Sequence, residues 1–171
     1  KIEDNFEQII SSETAYQMIS MLEGVVQRGT GRKLKHLNLN LAGKTGTTNN
    51  NTDTWFIGFT SKLVVGIYVG FDEPASLGRY ETGGKTAMPI FKKFILNSIS
   101  KQDATPFKVP DGIIMMVVDS VTGQKVDFNS KNSIYESFKE KKMGEVDIEN
   151  NYNDLIFNNS DTGIKEIIRF Y

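Results

Sequence analysis

The 171 residues are 39% hydrophobic and 24% charged, with a net charge of -1, no cysteine and a single histidine. That length suffices for one domain with a real core, and the composition is ordinary for a soluble globular protein. The charge balance excludes a strong field towards nucleic acid or an anionic membrane, and the missing cysteines exclude disulfides and thiolate metal sites.

No apolar run approaches the ~20 residues that span a bilayer; the longest covers residues 113–118. His36 alone cannot build a His-rich metal site and reads as an exposed residue at a strand entry. No metal or other cofactor is expected. The polar opening Lys1-Ile2-Glu3-Asp4, without an initiator methionine, leads us to expect a fragment and no signal peptide.

Residues 9–28 have the spacing of an amphipathic helix, with Ser11 or Ser12 as cap and Glu13 in the first turn. Its apolar stripe is Ala15, Met18, Ile19, Leu22, Val25 and Val26, and Gly29-Thr30-Gly31 ends it. Leu37, Leu39 and Leu41 alternate with polar or small residues and predict a half-buried strand running into Gly43 and Lys44. Residues 48–53 are a loop by composition. Residues 54–60 and 63–71 predict two more strands, so the three form an antiparallel meander. In the third, Leu63, Val65, Ile67, Val69 and Phe71 share one face. Gly66 and Gly70 on the other face suggest the close approach of a helix.

A long polar loop over residues 72–84 follows. Pro89 then suits the first turn of a helix with Phe91, Phe94, Ile95 and Ile99 as its stripe. The texture changes between Gln102 and Pro110, which divides the chain into residues 1–101, a linker and short β extension over 102–127, and an Asn/Lys-rich tail over 128–171. The tail is weakly ordered on composition.

The tripeptide Gly-Lys-Thr occurs at residues 43–45 and 84–86. A phosphate-binding P-loop requires glycine five residues before each, where Asn38 and Arg79 stand, so both matches fail. The alternative is Lys44-Thr45-Gly46 as a strand-borne K-T-G motif of acyl-transfer enzymes. That chemistry needs donors aimed at a developing oxyanion, a glycine that admits substrate to the strand edge, and hydroxyls and a lysine for a carboxylate. By itself the triplet is weak, arising by chance in roughly one chain in ten of this composition.

The context is more specific. The stretches LAGKTGTTNNNTDTWFIGFT, VVGIYVGFDEP and LGRYETGGKTAMPIFKKFI, in that order, resemble the C-terminal part of the transpeptidase domain of a class A (bifunctional) penicillin-binding protein. ISSETAYQMISMLEGVVQRGTGRKL is similar to the helix and connection before it, and PFKVPDGIIMMVVDSVTGQKV to the segment that follows. The tail resembles no family segment. The resemblance implies an α+β fold of the β-lactamase/transpeptidase kind, here a partial antiparallel sheet with flanking helices and a small strand-containing extension. It implies roles for Lys44 and Thr47 in catalysis, through the serine of S-x-N and the oxyanion respectively. It also implies substrate contacts by Thr45, Gly46, Thr47 and Trp55, although a strand tryptophan is more often packing. Thr48 lies at the rim.

The family's S-x-x-K and S-x-N should precede Lys44, and neither does. Downstream, Ser98 to Lys101 and Ser130 to Asn132 spell them, but in positions that fit neither role. Circular permutation would be needed to use them and is rejected. The expectation is therefore a fragment of a peptidoglycan D,D-transpeptidase without its nucleophile-bearing half. Its implied ligands are stem peptides and β-lactams in the complete enzyme, its implied partner is the missing N-terminal half, and its implied setting is the periplasmic face of the inner membrane. The alternatives are a catalytically inactive interaction module and, less well matched, a serine β-lactamase relative.

Overall fold

The computed structural model describes residues 7–100 and 104–140. The elements are α1 (Ser12–Gln27), β1 (Ala42–Thr47), β2 (Asp53–Phe59), β3 (Val64–Gly70), α2 (Ala87–Ser98), β4 (Ile113–Asp119) and β5 (Ser133–Lys139). The first three strands form an antiparallel sheet in the order β1-β2-β3, and β4 and β5 form a separate antiparallel pair. The fold is α+β, as expected.

Ser11 caps α1, its hydroxyl accepting from the Thr14 N–H at 3.3 Å, with Glu13 in the first turn. At the other end the N–H groups of Arg28, Gly29 and Gly31 fold back onto the carbonyls of Gly24 and Val25. Tyr16, Gly24 and Val26 are the residues of α1 that bury fully, whereas Met18 of the predicted stripe is exposed.

The predicted strand at Leu37 starts too early. Residues Arg32–Leu37 form a 3-10 helix, and Asn38 closes it in the left-handed region at φ 52°. Asparagine tolerates that conformation, and it ends any extended run. His36 is exposed as expected, but on this 3-10 helix. The alternating leucines still mark burial: Leu41 is fully buried, and Leu37 and Leu39 pack against the core.

That core joins Val26 of α1, Leu34 and Leu41, Phe56 of β2, and Ala87, Met88, Phe91 and Ile95 of α2. Both helices therefore lie on the Phe56 side of the sheet. The rings of Phe56 and Phe91 sit 4.8 Å apart at 57°, a tilted aromatic contact. Val65, Ile67 and Val69 add to this face. Helix α2 comes close at Gly58, where a Cβ would lie 2.6 Å from the Phe91 ring. The glycines of β3 do not admit a helix: Gly66 is exposed on the opposite face, and Gly70 lies beside Tyr68 and Asp53.

The opposite face of the sheet is open. Trp55 (42%), Ile57 (48%), Val64 (69%) and Tyr68 (50%) are all substantially exposed. On α2, Phe91 and Ile95 are buried, but Phe94 points outwards.

A weakly ordered tail from residue 128 is not what residues 133–139 adopt. They pair with β4 over its whole length, Ile113 opposite Lys139 through Asp119 opposite Ser133. The stretch is mixed in polarity, so composition hides it; Ile134, Tyr135 and Phe138 supply strand propensity, and the partner supplies the hydrogen bonds. The pair docks on α1 through Gln17 to the Ser137 carbonyl at 3.1 Å, Arg28 to Glu136, and Lys139 to the Thr14 hydroxyl at 2.7 Å. The boundary expected at residue 101 and the tail beyond 140 lie outside the described residues. Among the described residues no helix is long and apolar enough to cross a membrane.

Candidate functional site

Strand β1 carries Lys44, Thr45, Gly46 and Thr47 in succession and pairs with β2 on one side. Lys44 lies opposite Ile57 and Gly46 opposite Trp55, while Thr45 lies opposite Phe56 and Thr47 opposite Thr54. Side chains alternate along a strand, so the motif is split between faces. The threonines share the side of Phe56 and Thr54, and Lys44 leaves on the open side. Its Nζ donates to the Thr45 carbonyl at 2.9 Å.

Backbone polarity follows the same alternation. The Thr48 N–H donates to the Asp53 carbonyl at 3.0 Å. Hydrogen-bonded pairs recur every second residue, which makes Gly46 with Trp55 and Lys44 with Ile57 the bonded pairs. The N–H groups of Thr45 and Thr47 therefore point to the open edge of the strand. Thr48 itself is a turn residue, its hydroxyl engaged by Thr52 and by the Asp53 N–H.

On the threonine side lies a cleft of about 460 Å³, walled by Thr30, Thr45, Thr47, Thr82, Lys33 and Lys85. The Thr30 and Thr45 hydroxyls are 3.0 Å apart. The Gly83 N–H donates to Thr47 Oγ1 at 3.1 Å. With its oxygen thus engaged as acceptor, the Thr47 hydroxyl keeps its proton to donate to a ligand. Gly83 is pressed against the ladder: a Cβ there would lie 2.2 Å from the Trp55 carbonyl oxygen and 2.5 Å from that of Gly46. Below this loop the Thr54 and Thr86 hydroxyls meet at 2.6 Å and tie β2 to the start of α2. Asn51 holds the loop from the far side, through its side chain to the Glu81 carbonyl and its own carbonyl to the Leu77 N–H.

The cleft presents hydroxyl donors and two ammonium groups, a donor set suited to a carboxylate. Lys85 is ion-paired with Glu81 four residues earlier. Lys33 has no carboxylate partner among the described residues.

Of the residues singled out from sequence, Lys44, Thr45, Gly46 and Thr47 sit together on β1. Trp55 is their direct neighbour across the ladder and is not a core residue. It faces the open side, its ring 4.9 Å from that of Tyr68. The Tyr68 hydroxyl donates to Asp53 Oδ1 at 2.7 Å, and that hydrogen bond raises the phenol above its usual range. Ser98 is the last residue of α2, whose first turn adjoins the cleft. Twelve residues at ~1.5 Å each put it roughly 17 Å away. Ser130 lies in the β4–β5 connection. Neither joins the site. Thr30, Lys33, Gly83 and Lys85 were not singled out as site residues. The available signal was the glycine-rich spelling of Gly29-Thr30-Gly31 and Gly83-Gly84, which marks close backbone approaches.

The penicillin-binding protein transpeptidase domain family matches residues 3–96. Penicillin-binding protein 1A of Rickettsia bellii is 42% identical over 159 residues, covering 90% of this chain and 20% of the relative. Penicillin-binding protein 1A of Pseudomonas aeruginosa is 42% identical over 134 residues, covering 78% of this chain and 16% of the relative. The crystal structure of penicillin-binding protein 1A from Haemophilus influenzae superimposes with a TM-score of 0.66 at 29% identity, covering 78% of this chain and 22% of that one. The chain thus spans about a fifth of the length of these relatives. Coverage of 90% also carries the similarity past residue 96 and into the tail, where the sequence resembled no family segment. The chain belongs to the penicillin-binding protein transpeptidase family, in its class A branch.

Proposed function

We propose that this chain supplies the K-T-G wall of a D,D-transpeptidase site that cross-links peptidoglycan stem peptides through an acyl-serine intermediate. One observation carries the reading: the Thr45 and Thr47 hydroxyls line a cationic cleft while the Thr47 N–H faces the adjoining open strand edge. A peptide laid along that edge is positioned as an added strand, its C-terminal carboxylate among the hydroxyls and its carbonyl near the Thr47 N–H. Gly46 leaves room for that approach, and Lys44 reaches the same edge from the other face.

The serine nucleophile and its base come from a segment bearing S-x-x-K and S-x-N. The open face of Trp55, Ile57, Val64 and Tyr68 is where that segment packs in this reading, since apolar clusters of this kind mark interfaces. The complete protein then works at the periplasmic face of the inner membrane, with stem peptides as substrates and β-lactams as inhibitors.

The test is penicillin labelling read by intact mass. The 171-residue chain alone should give no covalent adduct, because groups that act as a unit lose function together. Joined to a relative's upstream segment with both motifs, it should acylate with one equivalent. A stoichiometric adduct on the isolated chain, or none on the reconstituted protein, would sink the proposal.

A further inference from the structure

The charge that the transpeptidase reading assigns to Lys44 is not among those that line the threonine cleft. Lys44 leaves β1 on the face of Ile57, and its ammonium rests on the Thr45 carbonyl. It does not line the cleft that Thr45 and Thr47 share. Two other lysines do. Lys85 is held by Glu81, which offsets its charge. Lys33 stands on the 3-10 helix just after the turn that delivers Thr30 to the Thr45 hydroxyl, and no carboxylate among the described residues engages it.

We propose that Lys33, outside the K-T-G strand, is a specificity-determining residue that selects peptides with a free C-terminal carboxylate at this cleft. The inference rests on the transpeptidase reading of the site and adds a residue to it. The hydroxyls of Thr45 and Thr47 bind a carboxylate or an amide oxygen alike, since each is a neutral donor. Discrimination between an acid and its amide needs net positive charge, and Lys33 supplies it. A compact ammonium on a flexible stem acts as a point charge and needs no fixed bond geometry. Lys35, two residues on, has the same charge but does not line the cleft.

The test is a titration of the full chain at low ionic strength with N-acetyl-D-alanyl-D-alanine, as the free acid and as its C-terminal amide. The wild-type chain should bind the acid more tightly. Lys33→Gln should reduce the acid-to-amide affinity ratio about threefold, the scale of one partly exposed charge pair. Added salt should shrink the wild-type ratio. Lys35→Gln should leave it unchanged. Equal binding of acid and amide by the wild type would overturn the proposal, as would an unchanged ratio in Lys33→Gln or an equal loss in Lys35→Gln. The titration reads recognition without chemistry. A Lys33-dependent ratio beside a reconstituted protein that fails to acylate would sink the transpeptidase reading alone. Normal acylation beside an unchanged ratio would sink this inference alone.

Discussion

Replacing Gly83 with alanine should uncouple the loop before α2 from the threonine cleft. The φ angle of Gly83 lies outside the left-handed region, so alanine meets no backbone strain of its own. The obstacle is steric. The new Cβ would sit 2.2 Å from the Trp55 carbonyl oxygen, whereas ordinary contact begins at 3.4 Å. The loop must retreat by the difference, about 1.2 Å. The Gly83 N–H bond to Thr47 Oγ1 starts at 3.1 Å and does not survive that shift. Overpacking costs about 1–3 kcal/mol and the lost hydrogen bond about 0.5–1.5, so the chain should lose roughly 2–4 kcal/mol in urea unfolding. Thr47→Val removes the acceptor without moving the loop. In the double variant the hydrogen-bond term is lost only once, and a coupling of about 1 kcal/mol should appear. A loss under ~0.5 kcal/mol in Gly83→Ala, or a coupling within ~0.3 of zero, would refute the argument.

Gly46→Val in the reconstituted protein should slow acylation on the order of 100-fold, because a ~1 Å displacement of substrate at the edge suffices. Its Cβ also meets that of Trp55 at 3.1 Å, so a modest drop in melting temperature should accompany it; near-normal acylation in a folded variant would return the motif to an ordinary strand end. Phe91→Ala should cost about 3–5 kcal/mol in urea unfolding by opening the core against Phe56, and a cost under ~1 would mean that α2 does not seal the sheet. Glu23 is pushed up by burial, so its charged form destabilises the fold. The native state then holds the proton more tightly than the unfolded chain, and stability falls as pH rises from the unfolded carboxylate value through the raised native one. Glu23→Gln should accordingly be stabilising at pH 7 and neutral below about pH 4, as read by unfolding midpoints; an advantage that grows in acid would contradict the assignment.

The parts of the fold legible in the sequence were those written in local terms. The Ser11 cap, the glycine exit from α1 and the period-2 run of β3 each follow from residues within one element. The early end of the 3-10 helix was not legible, because three alternating leucines fit a strand and Asn38 is ambiguous until its φ is known. Strand β5 was hidden in a polar stretch, since its order comes from pairing with β4 and docking on α1. Non-local contacts of that sort leave little trace in composition. The candidate site divides the same way. K-T-G stood out as a contiguous motif, while Thr30, Lys33 and Gly83 reach it from segments 11 or more residues away.

The two Gly-Lys-Thr tripeptides show how a motif can mislead by its spelling and inform by its placement. Each failed as a phosphate loop for want of a glycine at 38 or 79, and that failure stands although Asn38 is not in a strand. The fold nonetheless brings both copies to one cleft. Thr45 of the first and Lys85 of the second line it together, and a Cβ at Gly84 would lie 3.7 Å from the Thr45 methyl. The two lysines then diverge. Lys44 is sent to the open face by strand alternation, and Lys85 is drawn to Glu81 on its own turn. Neither ammonium is free above the threonine hydroxyls, and among the described residues the cation left lining the cleft is Lys33. In a site assembled on a strand edge, period-2 alternation thus forces a division of labour. In the transpeptidase proposal, the motif lysine then faces the segment that brings the nucleophile, and the charge for the carboxylate comes from a connection packed on the other side.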